Sequence, residues 1–140
     1  MNPARVAARG LAVVSVRGAT LEGFRLSFDK CALEHPQSAH ANVAWDPLAR
    51  VEGVLYELAD EREIEKMDPF ERAPINYSRE RIVAVAGGER VVAWTYFANP
   101  AVRRRGLRPS RDYLAHLLAG RAFLSADYVR ALEAIACVDD

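Results

Sequence analysis

The stretch YSRERIVAVAGGERVVAWTYF, residues 77–97, decides the fold class. Tyr77–Val85 carries the alternation of a strand with one buried face. Gly87-Gly88 then supplies two residues that take positive φ freely, as a two-residue hairpin turn requires, and Arg90–Phe97 runs back antiparallel. Outward from this hairpin, Val51–Leu58 reads as a strand and Asn42–Trp45 as a short strand ended by an Asp46-Pro47 turn. Thr20–Phe28 alternates strongly and follows a β-rich run, Leu11–Val16. The polar segment Asp29–Ala41, punctuated by Pro36, reads as a loop. Five or six strands are expected.

Toward the C-terminus the period changes. Ser110 caps a helix in which Tyr113, Leu114, Leu117 and Leu118 form one apolar stripe; Gly120 ends or loosens it, and Ser125 caps a last helix. Asn2 and Pro3 open a short helix closed at Gly10. Asp60-Glu61-Arg62-Glu63 resembles a capping box and opens another helix, through Met67. Antiparallel hairpins followed by helices predict an α+β fold, and many short twisted strands predict a small closed or nearly closed β-barrel. No repeat, low-complexity tract or linker divides the chain, so residues 1–140 read as a single domain.

Composition narrows the function. The chain has 140 residues, 51% hydrophobic and 27% charged, which is globular rather than disordered. Nineteen Lys+Arg balance nineteen Asp+Glu, removing the electrostatic case for a nucleic-acid or membrane-surface binder. Positive charge is carried almost wholly by arginine; the only lysines are Lys30 and Lys66. Arg103-Arg104-Arg105 with Arg108 lacks interleaved aromatics and reads as a solvated surface loop, with an anion or substrate-tail contact as the alternative. Cys31 and Cys137 read as reduced structural thiols, with a long-range disulfide as the alternative, and Arg5 and Arg9 interrupt any apolar leader, so a cytoplasmic protein is expected. His35, His40 and His116 lack metal-ligand spacing, and no cofactor motif occurs. Nothing in the pattern specifies an oligomeric state.

One segment invites a chemical reading. Met67-Asp68-Pro69-Phe70-Glu71-Arg72-Ala73-Pro74 sets two carboxylates three apart in a proline-stiffened loop beside an aromatic. A partly desolvated carboxylate there is a candidate general base; the ordinary alternative is a solvated or capping pair.

The ordered set Val51-Glu52-Gly53-Val54-Leu55-Tyr56-Glu57-Leu58, a capped short helix, Met67-Asp68-x-x-Glu71 and Tyr77-x-Arg79 resembles the γ-glutamylcyclotransferase-like family. So do the flanks: Leu21-x-Gly23-Phe24-Arg25-Leu26-x-Phe28, Ala41-Asn42-Val43, Thr95-Tyr96 and Pro109-Ser110-x-x-Tyr113-Leu114. The resemblance implies a small mixed β-barrel flanked by short helices. It also implies cyclisation of a γ-glutamyl group to 5-oxoproline with release of an amine or amino acid, without a cofactor. Under it, Glu71 matches the family's proton-transferring glutamate and is the expected catalytic residue. Asp68 is expected to support the loop, Tyr113 to contact the small-molecule γ-glutamyl substrate, and Tyr77 and Tyr96 to stand near the cavity.

Two departures qualify the match. Arg72 replaces the motif's glycine, which predicts either another backbone path after Glu71 or a cation over the cavity. The family also opens with a strand ending in Y-G-S-N, whose backbone amides grip the substrate carboxylate, where this chain begins at Met1. The expectation is therefore that the cellular protein starts further upstream, or else that this form lacks the anion grip. The alternative to an enzyme is a catalytically inactive small-molecule-binding protein of the same fold; a different acyl or amide chemistry on the scaffold is a third reading.

Overall fold

The computed structural model describes residues 1–138. Helix α1, Pro3–Ala8, is capped by Asn2, whose side chain accepts from Arg5 N–H. A long hairpin follows, β1 (Val13–Cys31) against β2 (Ala39–Leu58). A 3₁₀ turn at Glu61–Lys66, capped by Asp60, leads into the single turn α2, Asp68–Glu71. A second hairpin pairs β3 (Tyr77–Ala86) with β4 (Glu89–Ala98) through Gly87-Gly88, both at positive φ. Helices α3 (Arg111–Leu118) and α4 (Ala126–Glu133) close the chain, capped by Ser110 and Ser125. The fold is α+β, with one antiparallel sheet in the order β2-β1-β3-β4.

Four strands replace the expected five or six. Leu11–Val16 and Thr20–Phe28 are not separate strands; Val13–Phe28 lies in one unbroken β1. The Asp46-Pro47 turn does not end its strand either. Register passes from Glu22↔Arg50 to Phe24↔Trp45, so residues 46–49 bulge outward opposite Gly23 alone, and β2 resumes beyond them. Gly23 sits at φ +79, which leaves glycine as the residue that takes this kink cheaply. The bend lets the hairpin curl instead of breaking. The expected loop at Asp29–Ala41 contracts to residues 32–38, because pairing extends to Cys31↔Ala39.

The curl brings the sheet's two edge strands together. Asn42 of β2, 3% exposed, accepts from Ala98 N–H of β4 through Oδ1 at 2.8 Å and donates from Nδ2 to Asp29 at 3.0 Å. Both parts of the buried amide are thus satisfied, as burial demands. Phe24 and Phe97 pack across the interior at 5.6 Å between ring centroids. Glu52 of β2 accepts from Ser125 N–H at 2.7 Å and from its hydroxyl at 2.8 Å, fixing the start of α4 to the sheet. Leu114, Leu117 and Leu132 bury the inner faces of α3 and α4. Cys31 and Cys137 are free thiols. Among the described residues, no helix is long and apolar enough to cross a membrane.

Candidate active site

Three elements converge where the long hairpin ends. Ala41 lies on the edge of β2, with no strand neighbour on its outer side. Its N–H and C=O are satisfied by two tyrosines instead. The Tyr77 hydroxyl donates to Ala41 O at 2.9 Å, and Ala41 N–H donates to the Tyr113 hydroxyl oxygen at 2.9 Å. An unpaired edge is thereby capped by side chains. Burial pushes both phenols up from their ordinary value, so both keep their protons. Tyr77 uses its proton on Ala41, whereas the Tyr113 hydroxyl acts there as an acceptor and retains its proton as a donor.

Glu71, at the end of α2, faces the same space. It lines a cavity of about 400 Å³ together with Tyr77, Tyr113, Lys30, His40 and Arg9. That volume lies in the range of small-ligand pockets. Arg9, from just after α1, donates from Nη1 to Glu71 Oε1 at 3.0 Å and lays its guanidinium over the Phe70 ring at 4.7 Å. The expected apolar setting beside Phe70 is therefore occupied by an arginine: the ring carries the cation, and the cation holds the carboxylate.

The turn that presents Glu71 is built locally. Pro69 occupies the first turn of α2, and Arg72 ends it at φ 50, ψ 43. This is the left-handed conformation that glycine takes without steric cost. Of the two outcomes expected for Arg72, the structure thus gives a cation on the cavity wall with the glycine-like path retained.

The other predicted residues divide. Asp68 points away from the cavity, accepting from the Tyr96 hydroxyl at 2.7 Å and pairing with Arg79 at 3.1 Å. Tyr96 lines a neighbouring space of about 750 Å³, bounded by Met67 and Val6, rather than the one that holds Glu71. Burial and its bond to Asp68 raise the Tyr96 phenol, so it remains a donor. Glu71, Tyr77 and Tyr113 are brought together; Tyr96 acts on the same loop from behind.

Arg9, Lys30 and His40 also line this cavity and were not singled out as site residues in the sequence. His40 stacks on Tyr113 at 4.6 Å, and burial, with Lys30 and Arg5 nearby, lowers its proton affinity. The usable sequence signal was Lys30, one of two lysines in an arginine-rich chain. Arg9 and His40 carried none, since a helix end and a polar loop are ordinary places for them.

Comparison with known proteins bears on the family and the fold. The family described as gamma-glutamyl cyclotransferase, AIG2-like, matches residues 2–115. The chain belongs to that family. Its structure is similar to one titled gamma-glutamyl cyclotransferase, with a TM-score of 0.84 at 19% identity, over 99% of this chain and 84% of that one. An uncharacterized protein from Homo sapiens gives 0.82 at 20% identity, over 97% of this chain and 82% of that one. YkqA from Bacillus subtilis gives 0.68 at 19% identity, over 86% of this chain and 45% of that one. At these identities the structures attest a shared fold. Comparison with curated protein sequences finds no significant match.

Proposed function

We propose that this protein is a γ-glutamyl cyclotransferase acting in the cytoplasm. It folds a γ-glutamyl substrate so that the α-amine attacks the γ-carbonyl carbon of the same residue, giving 5-oxoproline and a released amine or amino acid. Confining one flexible chain in a near-attack shape supplies much of the acceleration for such a step. The remainder is proton management. The α-ammonium sheds two protons in becoming the lactam N–H, while the departing amide nitrogen gains two in leaving as an ammonium ion. In this reading the Glu71 carboxylate takes each proton from the α-nitrogen in turn and passes it to the leaving nitrogen, and so ends the cycle ionised as it began. Tyr113, whose own hydroxyl proton is uncommitted to Ala41, is the donor available to the carbonyl oxygen as it gains charge. Arg9 positions the Glu71 carboxylate.

The observation carrying this reading is that Glu71 faces a cavity walled by Tyr77 and Tyr113, in a chain of this family. The space is not filled by Arg72 or by core side chains: about 400 Å³ remains, and Arg72 stands exposed at its edge. The test is release of 5-oxoproline from γ-glutamyl amino acids. Glu71→Gln is expected to lower kcat by at least about a hundredfold, the lower range for a lost general acid–base. Turnover unchanged by that substitution removes Glu71 from the chemistry.

A further inference from the structure

Lys30 is the unexplained charge in the molecule. It is 5% exposed, and among the described residues it makes no ion pair and no side-chain hydrogen bond. The other lysine, Lys66, pairs with Glu63 at 2.7 Å. The residue as a whole is withdrawn, but its ammonium stands on the cavity wall rather than sealed in the core, and an anion entering the cavity would give it the partner it lacks.

Its placement is built into the hairpin. Pairing passes from Phe28↔Ala41 to Lys30↔His40, leaving Asp29 as the bulged residue of β1. Asp29 turns to Arg103, which binds it from Nη2 at 2.7 Å and Nε at 2.9 Å. Paired residues share a face, so Lys30 is aimed to the side of His40, where the cavity lies. Its Nζ lies 5.9 Å from the centre of the Tyr77 ring. Asp29, the carboxylate next in sequence, is engaged by Arg103 instead.

The charge balance of the cavity wall points the same way. Arg5, Arg9, Lys30 and Arg72 face Glu34 and Glu71. Arg9 and Glu71 neutralise one another at 3.0 Å, and the remaining charged side chains of the wall leave two positive charges in excess. The γ-glutamyl head brings one carboxylate and one ammonium, which cancel. A γ-glutamylamine with an uncharged leaving half is therefore neutral overall, whereas a γ-glutamyl amino acid carries one further negative charge. In the latter, the second carboxylate lies two bonds from the scissile nitrogen, close to where Glu71 works. A cation on that side offsets the repulsion between the two carboxylates. Burial, reinforced by Arg72, lowers the proton affinity of Lys30, and an anion seated beside it would raise that affinity again.

We infer that Lys30 is a specificity-determining residue that binds a carboxylate on the leaving half of the substrate, so that the preferred class is γ-glutamyl amino acids over γ-glutamylamines. This rests on the cyclotransferase reading for its substrate head, but not on turnover for its test.

γ-Glutamylalanine and γ-glutamylethylamide differ by that one carboxylate. Binding of each is measured calorimetrically to the Glu71→Gln protein, and 5-oxoproline release from each is measured with the unaltered chain. A charge-assisted bond predicts a preference for γ-glutamylalanine of about tenfold to a hundredfold in both Kd and kcat/KM. Lys30→Met in either background collapses the ratio to about one, and Lys30→Arg restores most of it. Melting curves confirm that each variant is folded, and the ratio is internal to each protein. Equal affinity for the two ligands, a ratio insensitive to Lys30→Met, or failure of both to bind overturns the assignment. Selective binding without any 5-oxoproline supports Lys30 and overturns the enzyme; 5-oxoproline from both compounds at equal kcat/KM does the reverse.

Discussion

The Arg9 guanidinium lies 3.0 Å from the Glu71 carboxylate, joining positions 62 residues apart, with both side chains largely withdrawn from solvent. The contact couples α1 to the loop that carries the proposed base. A partly buried pair of this kind is expected to contribute about 1 kcal/mol, at the upper end for solvent-accessible ion pairs. In a double-mutant cycle by urea denaturation, Arg9→Met and Glu71→Gln should each cost about that much, and the double variant about the same as either alone. Strict additivity would mean that the pair is not formed in solution.

Arg72 holds a backbone conformation that an L-residue adopts at a cost of roughly 1–2 kcal/mol. Arg72→Gly relieves that cost but adds roughly 0.5–1 kcal/mol of chain entropy to be lost on folding. A net gain of about 0.5 kcal/mol is expected, together with a retained cavity. Arg72→Val, β-branched at positive φ, should lose about 1 kcal/mol or more. A glycine variant less stable than the parent would show that the guanidinium makes contacts outweighing the backbone cost.

Which features were legible follows from how local their causes are. The helix starts at Asn2, Ser110 and Ser125 were readable because each cap is settled within three residues, and the hairpin because Gly87-Gly88 fixes its own turn. Asp46-Pro47 misled for the converse reason. Those residues do leave the ladder, with Leu48 97% exposed at the tip, but pairing resumes on both sides because β1 continues opposite them. No window of β2 alone contains that information. Glu71, Tyr77 and Tyr113 were legible only through an ordered resemblance, since three elements must converge before they meet. Lys30 needed one fact more, the register shift at Asp29 that sets which way it faces.

Asn42 links β2 to β4 and to Asp29 while itself 3% exposed. Asn42→Ala strands the Ala98 N–H and removes one partner of Asp29. A loss of about 2 kcal/mol or more is expected, since a buried donor without an acceptor bears its full desolvation cost. Chemical denaturation checks the size. Amide exchange at Ala98 checks the cause, because its protection should fall further than that of residues along the β3–β4 ladder.

His40 gives the fold a pH dependence of defined sign. Its ring stacks on Tyr113, with Lys30 of β1, Arg5 of α1 and the acidic Glu34 around it. Burial, then Lys30 and Arg5, lower its proton affinity from the ordinary value of 6.5, and Glu34 opposes them only in part. The folded state therefore binds this proton less readily than the unfolded chain does. Where unfolding takes up protons, stability falls as pH falls. The contribution is undisturbed above the unfolded value and is lost progressively as pH drops from about 6.5 toward the depressed folded value. His40→Phe keeps an aromatic face against Tyr113 but cannot titrate. Its stability by urea denaturation should decline less than the parent's between about pH 7.5 and about pH 5.5, a window that brackets the free histidine value. Parallel curves for the two proteins across that window would show that the imidazole is as easily protonated folded as unfolded, and the buried setting beside Lys30 would then not hold in solution.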